Sequence, residues 1–350
     1  MDFLRRLFGL QSTDASKDLT QPAASRTGTP GPEISGPGTA TKPATPQVVS
    51  PIGPPQKRTE EQINADAAID ATPMLFSGGT RQLPPIETMN LKAGKHVTYG
   101  LSTDIGMIRG NNQDSMYALF GTSTSAESQP DFGLFIVADG MGGHHDGELA
   151  SAVAIRTIAQ YMMENFFIHL MKRAMPESER PVLSEVLGTA IQKANEAVSE
   201  EIPEGGTTVT AAAILSDLVY IAHVGDSRAY LITADGIEQI TRDHSLVQRL
   251  IELDQLTPEE AATHPQRNVL YRAIGQSENL EIDAVTRRLT PGVRLLLCSD
   301  GLWNQVGESN LLQIVRAAKT PQEACDQLIT VANDRGGPDN ITVVIIQIPG

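Results

Sequence analysis

Beyond its first quarter, the chain alternates short, mostly apolar runs with polar turns, and several of these runs meet an aspartate. Four runs share this design: 134–138 leads into Asp139, 219–225 into Asp226, 293–299 into Asp300, and 341–346 follows Asp339. An apolar run of this length, bounded by turn residues, predicts a strand buried on both faces. If the four strands lie in neighbouring sheets, their carboxylates meet at one edge. The pattern therefore predicts a metal site.

The spacing of apolar positions also predicts the remaining elements. Apolar runs predict strands over 97–105, 115–120, 207–215, 218–224, 228–233, 237–240, 280–288, 293–299 and 341–348. Helical spacing predicts helices over 149–172, 184–200 and 245–255, and two further helices that open on the capping boxes 257–260 and 320–323. The strands come in hairpin-rich runs without regular βαβ alternation. This order favours an α+β fold of two packed antiparallel sheets with helix pairs outside.

The dipeptide Asp-Gly has two interpretations in this chain. Asp235-Gly236 lies between two short strands and predicts a hairpin turn. Asp139-Gly140 and Asp300-Gly301 instead follow longer apolar runs and have no short complementary strand close behind. At these two positions the pattern favours a metal ligand over a turn.

The first 93 residues carry little that could form a core. They hold 12 of the 22 prolines, and Phe76 is the only aromatic residue between Gly9 and Lys95. Such a segment buries too little apolar surface to offset its chain entropy. We therefore predict a disordered arm over 1–93 and one globular domain over 94–350. Residues 1–10 have the pattern of a short amphipathic helix, a candidate for weak contact with a membrane surface or a partner.

The net charge of −15 belongs to the predicted domain, because residues 1–93 hold equal numbers of basic and acidic residues. An acidic excess argues against nucleic acid, whose binding proteins need a basic face. Either carboxylates that hold cations or a merely acidic, soluble surface explains it. Cys298 and Cys325 have no paired spacing and lie in apolar patterns, which predicts buried thiols in a cytoplasmic protein. No apolar run approaches the length of a membrane span.

The candidate metal ligands are all oxygen donors, namely Asp114, Asp139, Asp226, Asp300 and Asp339. Oxygen donors suit Mg²⁺ or Mn²⁺, and no Cys or His cluster has zinc spacing. The backbone carbonyl of Gly140 can also turn toward a metal. Two such cations bridged by a carboxylate lower the pKa of a water molecule, and a phosphoryl group is the natural electrophile. Arg109 lies in a Gly/Asn loop before Asp114 and either grips phosphate oxygens or is an ordinary surface arginine.

At this point the residues carry a family resemblance. The stretch from about 97 to 348 resembles the metal-dependent Ser/Thr protein phosphatases of the PP2C type, in their bacterial form. The resemblance lies in six ordered blocks: 103–114 (TDIGMIRGNNQD), 139–144 (DGMGGH), 206–208 (GTT), 225–228 (GDSR), 299–303 (SDGLW) and 337–340 (GPDN). Each block alone is a weak signal, whereas all six in this order are highly specific.

The resemblance implies a four-layer αββα sandwich with the active site at one rim. It implies that Asp139 bridges two metals, that Gly140 contributes its carbonyl, and that Asp300 and Asp339 complete the second site. It further implies that Asp114 acts through metal-bound water and that Arg109 holds the substrate phosphate. The remaining implied sites are a third, weaker cation at Asp226 with Asp300, and a flap over about 243–275 that influences substrate choice.

The chain departs from the family pattern at two positions. Many eukaryotic members carry a histidine two residues after the first aspartate, where it is thought to protonate the leaving oxygen, and here that position is Met141. The general acid is then His144, His145 or a water molecule. Gln113 stands where many relatives have Glu, which predicts slightly weaker electrostatic support of the first metal.

The sequence therefore predicts a monomeric, cytoplasmic phosphatase that uses two Mn²⁺ or Mg²⁺ ions, with a third as an open question. Its predicted partners are proteins that carry phosphoserine or phosphothreonine and the Ser/Thr kinases it opposes. Two alternatives remain: an inactive relative that binds phosphoproteins as a scaffold, and a phosphatase dedicated to one regulator, such as an anti-sigma-factor antagonist.

Overall fold

The computed structural model of the chain describes residues 96–122, 130–143, 145–172 and 181–349. The strands in these ranges are β1 Thr98–Asp104, β2 Asp114–Gly121, β3 Phe132–Met141, β4 Gly206–Thr207, β5 Val209–Leu215, β6 Leu218–Val224, β7 Arg228–Ile232, β8 Ile237–Gln239, β9 Asp283–Arg288, β10 Arg294–Cys298 and β11 Ile341–Gln347. The helices are α1 Asp146–Met162, α2 Ile168–Met171, α3 Leu183–Glu201, α4 Leu246–Glu252, α5 Pro258–Ala262, α6 Asp300–Val306, α7 Glu308–Ala317 and α8 Pro321–Asp334, and a π-helical turn, Met163–Phe167, joins α1 to α2.

The strands form two antiparallel sheets. The first sheet has the order β1-β11-β10-β7-β8, and the second has the order β2-β3-β5-β6-β9 with β4 paired to the end of β3. Consecutive strands are often neighbours, as in the pairs β2-β3, β5-β6 and β7-β8. This topology is the hairpin-rich arrangement that the strand order predicts.

Side-chain alternation along each strand sorts the core into three apolar layers. On β3, Leu134 and Ile136 face α1 and α3, whereas Phe135 and Val137 face the first sheet. The strands β10 and β11 repeat this division between the inter-sheet layer and the helices α6, α7 and α8. Helices therefore cover both outer faces of a two-sheet sandwich, which confirms the predicted αββα fold.

The inter-sheet layer becomes polar at one end of the sandwich. Asp139 lies two positions beyond Val137 and therefore shares its face of β3, toward the first sheet. Asp114 on β2 and Thr342 on β11 have the same parity as apolar inter-sheet residues on their own strands. The alternation that builds the core thus also directs these oxygen atoms into the gap between the sheets.

The structure differs from the predictions in several elements. β3 does not end at Asp139 but continues to Met141, because Gly140 pairs with Thr207 of β4. The helices α6 and α7 lie where the sequence predicts no element. Thr257 forms the predicted reciprocal capping box, whereas the box at Thr320 is only half formed. There the Glu323 carboxylate accepts from the backbone N–H of Lys319.

Some of the sequence predictions fall on residues outside the described ranges, and others concern residues within them. The predicted arm over 1–93, including the candidate contact segment 1–10, lies outside the described residues, and so does His144. Cys298 and Cys325 are both buried and unpaired, as predicted. Among the described residues, no helix combines the length and the apolar character needed to cross a bilayer.

Candidate active site

Asp114 and Asp139 face each other across the paired strands β2 and β3. The backbone of Asp139 is fixed by β4 and β5: its N–H donates to Thr208 Oγ1 at 2.9 Å, and its carbonyl accepts from the Thr208 N–H at 2.8 Å. The Thr207 hydroxyl donates to the same carbonyl at 2.9 Å. These bonds hold the backbone of Asp139 in place and so limit where its carboxylate can lie.

A hydroxyl from the other sheet holds the carboxylate of Asp114. Ser299 Oγ donates to Asp114 Oδ2 at 2.7 Å and accepts from the Thr342 N–H at 3.0 Å. The second carboxylate oxygen of Asp114, Oδ1, is buried and has no hydrogen-bond partner among the described residues. A buried carboxylate oxygen without a partner is costly, because it has lost its hydration.

Three more aspartates surround this pair. Asp300 is the first residue of α6, Asp226 follows β6, and Asp339 precedes β11. The five carboxylates repel one another, and their mutual charge contributes to the pKa shifts of Asp139 and Asp226. The four strand ends that the sequence singled out, at Asp139, Asp226, Asp300 and Asp339, therefore do meet at one rim.

The pKa values of these carboxyl groups are raised. Burial is the main cause for Asp139 and Asp226, whose pKa values lie well above the ordinary range, with neighbouring carboxylates adding to it. Burial raises the pKa of Asp114 to about 7, opposed by the hydrogen bond that its carboxylate accepts from Ser299. The pKa of Asp300 rises to about 6, again through burial and then through the charge of Asp339.

The carboxyl groups of Asp139 and Asp300 interact, and this interaction lowers the pKa of Asp300 against the larger upward effect of burial. The charges of Asp114, Asp226, Asp300 and Asp339 all raise the pKa of Asp139. A divalent cation bound among these carboxylates would offset their mutual repulsion.

The donor set fits hard divalent cations. All five side chains offer carboxylate oxygen, the ligand that Mg²⁺ and Mn²⁺ prefer. Within the described ranges, no three His, Cys, Asp or Glu side chains converge on a preformed metal position. This is compatible with a cation such as Mg²⁺, which keeps several waters and takes only one or two carboxylates from the protein. Two observations favour a cation here: the oxygen of Asp114 that is buried and has no partner among the described residues, and the mutual repulsion of the clustered carboxylates.

Arg109 is paired with one of the predicted metal ligands. Its Nη2 donates to Asp339 Oδ2 at 2.7 Å, and its side chain is 46% exposed. That hydrogen bond is the main reason why the pKa of Arg109 is raised. Arg109 therefore lies at the edge of the carboxylate cluster. The sequence alone had left open whether it was part of the site or an ordinary surface arginine.

The loop that carries Arg109 is held by Asn340, which the sequence analysis did not assign a role. The Asn340 side chain accepts from the Gln113 N–H at 2.8 Å and donates to the carbonyls of Ile105 and Asn111, each at 2.9 Å. A buried amide that serves three backbone groups fixes both ends of the loop. Asn340 directly follows Asp339 in the block 337–340, and this was the only sequence signal for it.

Gln113 has a local role that a carboxylate in its place could not fill. Its side-chain Nε2 donates to the backbone carbonyl of Gly143 at 3.3 Å. Its backbone carbonyl accepts from the Gly140 N–H at 3.1 Å. A glutamate at this position would present only acceptors to the Gly143 carbonyl. The amide therefore fastens the glycine loop that follows β3.

Gly140 sits where no side chain fits. A Cβ at this position would lie 2.0 Å from the Gly147 oxygen and 2.6 Å from the Gln113 oxygen, both of them backbone atoms. Met141 follows, with its sulfur 3.6 Å from Gln276 Nε2. His145 begins α1 with a side chain that is 85% exposed.

Buried contacts fix the backbone on both sides of Asp226. The indole N–H of Trp303 donates to the Asp226 carbonyl at 3.0 Å, and the Gly225 N–H donates to His244 Nδ1 at 3.0 Å. The guanidinium of Arg228 lies 3.5 Å above the Trp303 ring and is bonded to Asp243 at 2.7 Å. The base of the predicted flap, at Asp243 and His244, is thereby tied to the strand end that carries Asp226.

The cluster opens into a cleft of about 200 Å³. Its lining includes four of the five aspartates together with Arg109, Gly140 and Met141. Asn268 and Leu270 of the predicted flap border the same cleft. The cleft thus combines acidic groups, one arginine and the flap, and it offers room for a phosphoryl group.

Comparison with known proteins agrees with this architecture. A family model described as protein phosphatase 2C matches residues 111–329. The serine/threonine phosphatase stp of Listeria innocua is 38% identical over 255 residues, covering 70% of this chain and 93% of the relative. The crystal structure of the Mycobacterium tuberculosis serine/threonine phosphatase PstP/Ppp has 33% identity and a TM-score of 0.60, covering 73% of this chain and 99% of the other.

A further solved structure is the catalytic domain of the serine/threonine protein phosphatase PstP in complex with two manganese ions. It is 31% identical with a TM-score of 0.59, and the match covers 73% of this chain and 99% of that one. The region matched by the family model contains Asp114, Asp139, Asp226 and Asp300 and the flap described above. The chain therefore belongs to the protein phosphatase 2C family of serine/threonine protein phosphatases, in its bacterial form.

Proposed function

We propose that this protein hydrolyses phosphoserine and phosphothreonine in other proteins by direct attack of water, using divalent cations held by the aspartate cluster. The observation that carries the proposal is the convergence of the aspartates on one cleft, with the Oδ1 of Asp114 buried and without a hydrogen-bond partner among the described residues. Mn²⁺ or Mg²⁺ bound there would offset the phosphoryl charge and lower the pKa of water. The manganese-bound PstP structure supports this choice of metal.

The resemblance to the family supplies the proposed ligand roles. Asp139 would contact two cations, with the Gly140 carbonyl beside it, while Asp300 and Asp339 would complete the second position. Asp114 would act through a water molecule, and its buried oxygen without a partner among the described residues is compatible with that role. Asp226 together with Asp300 would hold a third, weaker cation.

Arg109 would orient the substrate. A planar guanidinium can bind two phosphate oxygens, and a cation that claims Asp339 would release Arg109 for this task. Met141 has no proton to give, so the leaving oxygen takes its proton from His144, His145 or water. Among the described residues that line the cleft there is no histidine.

We expect the protein to hydrolyse phosphate esters only when a divalent metal is present. The full-length chain should hydrolyse p-nitrophenyl phosphate and a phosphothreonine peptide with Mn²⁺ or Mg²⁺, and should lose this activity in EDTA. Retention of full activity in EDTA would contradict the proposal. The same assay tests the scaffold alternative, which predicts phosphopeptide binding without turnover at any metal concentration.

The cellular role is part of the proposal. A phosphatase of this kind would oppose Ser/Thr kinases in the cytoplasm, acting either on several phosphoproteins or on a single regulator. Comparing phosphoproteomes of cells that carry wild-type or inactive protein separates these two. A broad set of changed sites favours the general phosphatase, and a single changed protein favours the dedicated one.

Replacing Arg109 by Lys is expected to lower kcat/KM for a phosphothreonine peptide by about 10- to 100-fold, because a hydrogen bond to a charged group contributes about 1.5–3 kcal/mol. Arg287→Lys is the matched control, since Arg287 is also half exposed (43%) and faces a carboxylate, but lies on β9 outside the cleft. Steady-state kinetics of both variants measure the two values of kcat/KM. An equal loss in both variants would mean that Arg109 has no special part in binding phosphate.

The metal-free protein is expected to lose stability as pH rises. The pKa values of Asp114 and Asp300 are about 7 and about 6 in the folded protein, whereas in an unfolded chain they are about 3.9. The folded state therefore binds more protons, so the stabilisation is present below about pH 4 and is lost as pH rises through 6 to 7. Thermal unfolding in EDTA between about pH 5.5 and pH 8 measures this loss of stability.

Adding Mn²⁺ should reverse this loss, because a cation binds the ionised carboxylates. At about 100 times its dissociation constant, one bound ion adds about 2.7 kcal/mol. The Asp300→Asn variant should show a flatter pH dependence in EDTA and a smaller response to Mn²⁺. A melting temperature that climbs with pH in EDTA would contradict the account of these carboxylates.

A further inference from the structure

A second groove, of about 340 Å³, adjoins the catalytic cleft. It shares Asp226, Asn268 and Asp300 with the lining of the cleft, so the two form one continuous surface. The flap helices α4 and α5 form one wall of the groove, and α6 forms the other. A polypeptide whose phosphorylated side chain enters the cleft would pass this opening.

Arg228 and Asp243, at the base of the groove, are already paired with each other. Arg228 binds Asp243 through Nε at 3.0 Å and Nη2 at 2.7 Å, and the two side chains are only 17% and 5% exposed. The Trp303 ring covers the guanidinium at 3.5 Å. A buried pair that is bonded in this way offers little charge to a ligand.

The wall that α4 and α5 form is mainly apolar. Val247 and Ile251 project from α4 and are half buried, and Ala261 and Ala262 come from α5. Such a surface favours an apolar side chain, which gains free energy by leaving water. At the rim, Arg267 and Glu308 are exposed and carry opposite charges, so neither sign of charge is favoured there.

We propose that this groove binds an apolar side chain of the substrate polypeptide, close in sequence to the phosphorylated residue. The proposal rests on the proposed phosphatase function and specifies the substrates of that same site. An extended chain advances about 3.3–3.6 Å per residue. A groove that begins at the edge of the cleft therefore receives a side chain only a few residues away, on one side of the phosphorylated position.

The loop that carries Arg109 offers a competing path. Met107 and Ile108, next to Arg109, are 66% and 73% exposed, and neither lines the groove or the cleft. A side chain resting on such an exposed surface stays in contact with water. An apolar preference that depends on Ile108 would place the polypeptide on this loop instead.

The test uses full-length protein with Mn²⁺ and a series of phosphothreonine peptides. The parent peptide has only alanine around the phosphothreonine, and each of the others carries one leucine at a position from three before to three after it. We expect one position, on one side, to raise kcat/KM by about tenfold over the parent, as partial burial of leucine predicts. The quantity compared between variants is this leucine-to-alanine ratio.

Two variants alter the groove in different ways: Ile251→Ser makes its wall polar, and Ala262→Trp fills it from an exposed position. Both should bring the ratio from about 10 to near 1. The controls are Leu253→Ser and Ile108→Ser. Leu253 is an apolar flap residue that is 41% exposed and is absent from the groove lining, and both controls should keep the wild-type ratio.

Each other outcome overturns the proposal. These outcomes are a ratio near 1 at every position in the wild type, a ratio that survives both groove variants, and a ratio lost equally in Leu253→Ser or lost in Ile108→Ser. In all of these cases the parent peptide is still hydrolysed, so the phosphatase function stands. Failure of that function looks different, because neither the parent peptide nor p-nitrophenyl phosphate would be hydrolysed with Mn²⁺.

Discussion

The Asp139→Asn variant is expected to lose at least about 1,000-fold in turnover while becoming more stable than the wild type in EDTA. In the proposed ligand arrangement Asp139 would contact two cations, so its loss would remove several kcal/mol of charge stabilisation, and each 1.4 kcal/mol corresponds to about a tenfold change in rate. The gain in stability has a separate cause. Burial and four neighbouring carboxylates make ionisation of Asp139 unfavourable, and asparagine does not ionise.

The matched control is Asp235→Asn. Asp235 is also followed by glycine, but it lies exposed in the hairpin turn between β7 and β8. This control should match the wild type in turnover and in unfolding in EDTA. Asp139→Asn with more than about a tenth of the wild-type turnover would contradict this role, because loss of a ligand that two cations would share should reduce turnover much further.

The Gly140→Ala variant is expected to lower turnover by about 100-fold and the free energy of unfolding by about 1–3 kcal/mol. Its Cβ would overlap the Gly147 oxygen at 2.0 Å, and that oxygen belongs to the backbone of α1. The end of β3 must then shift away from α1, and Asp139 shifts with it. Displacements of about 1 Å at a catalytic group are enough for a loss of this size.

Gly188→Ala provides the control for this substitution. Gly188 lies within α3, and a Cβ there would meet no atom within 4 Å. Alanine should stabilise that helix by about 0.5–1 kcal/mol and leave turnover unchanged. Chemical denaturation and steady-state assays on both variants give the comparison. Wild-type activity in Gly140→Ala would show that the position of β3 against α1 does not matter for the site.

The strand ends and their carboxylates were predictable because one alternation rule governs both. The rule that places Phe135 and Val137 between the sheets also places Asp139 there, and the apolar run announces the strand. The hairpin at Asp235 and the cap at Thr257 were likewise local features with clear signals. Such features need only a few neighbouring residues.

The contacts that arise between distant segments were not predictable in this way. Arg109 and Asp339 are 230 positions apart, and their pairing depends on how the loop before β2 folds. Ser299 and Thr208 stand in the blocks 299–303 and 206–208, but their spacing gives no sign that one holds the Asp114 carboxylate and the other the Asp139 backbone. The helices α6 and α7 were missed because neither opens on a capping box, as the shorter α5 does, and α6 carries a glycine and several polar residues.

The central claim is that the aspartate cluster binds divalent cations and that hydrolysis depends on them. The most direct measurement is a Mn²⁺ titration of metal-free, full-length protein in which bound Mn²⁺ and phosphothreonine-peptide turnover are recorded together. The account predicts no turnover without metal, turnover that rises as two ions bind per chain, and loss of both in Asp139→Asn. Full turnover before any Mn²⁺ binds, or tight binding of both ions that is unchanged in Asp139→Asn, would contradict it.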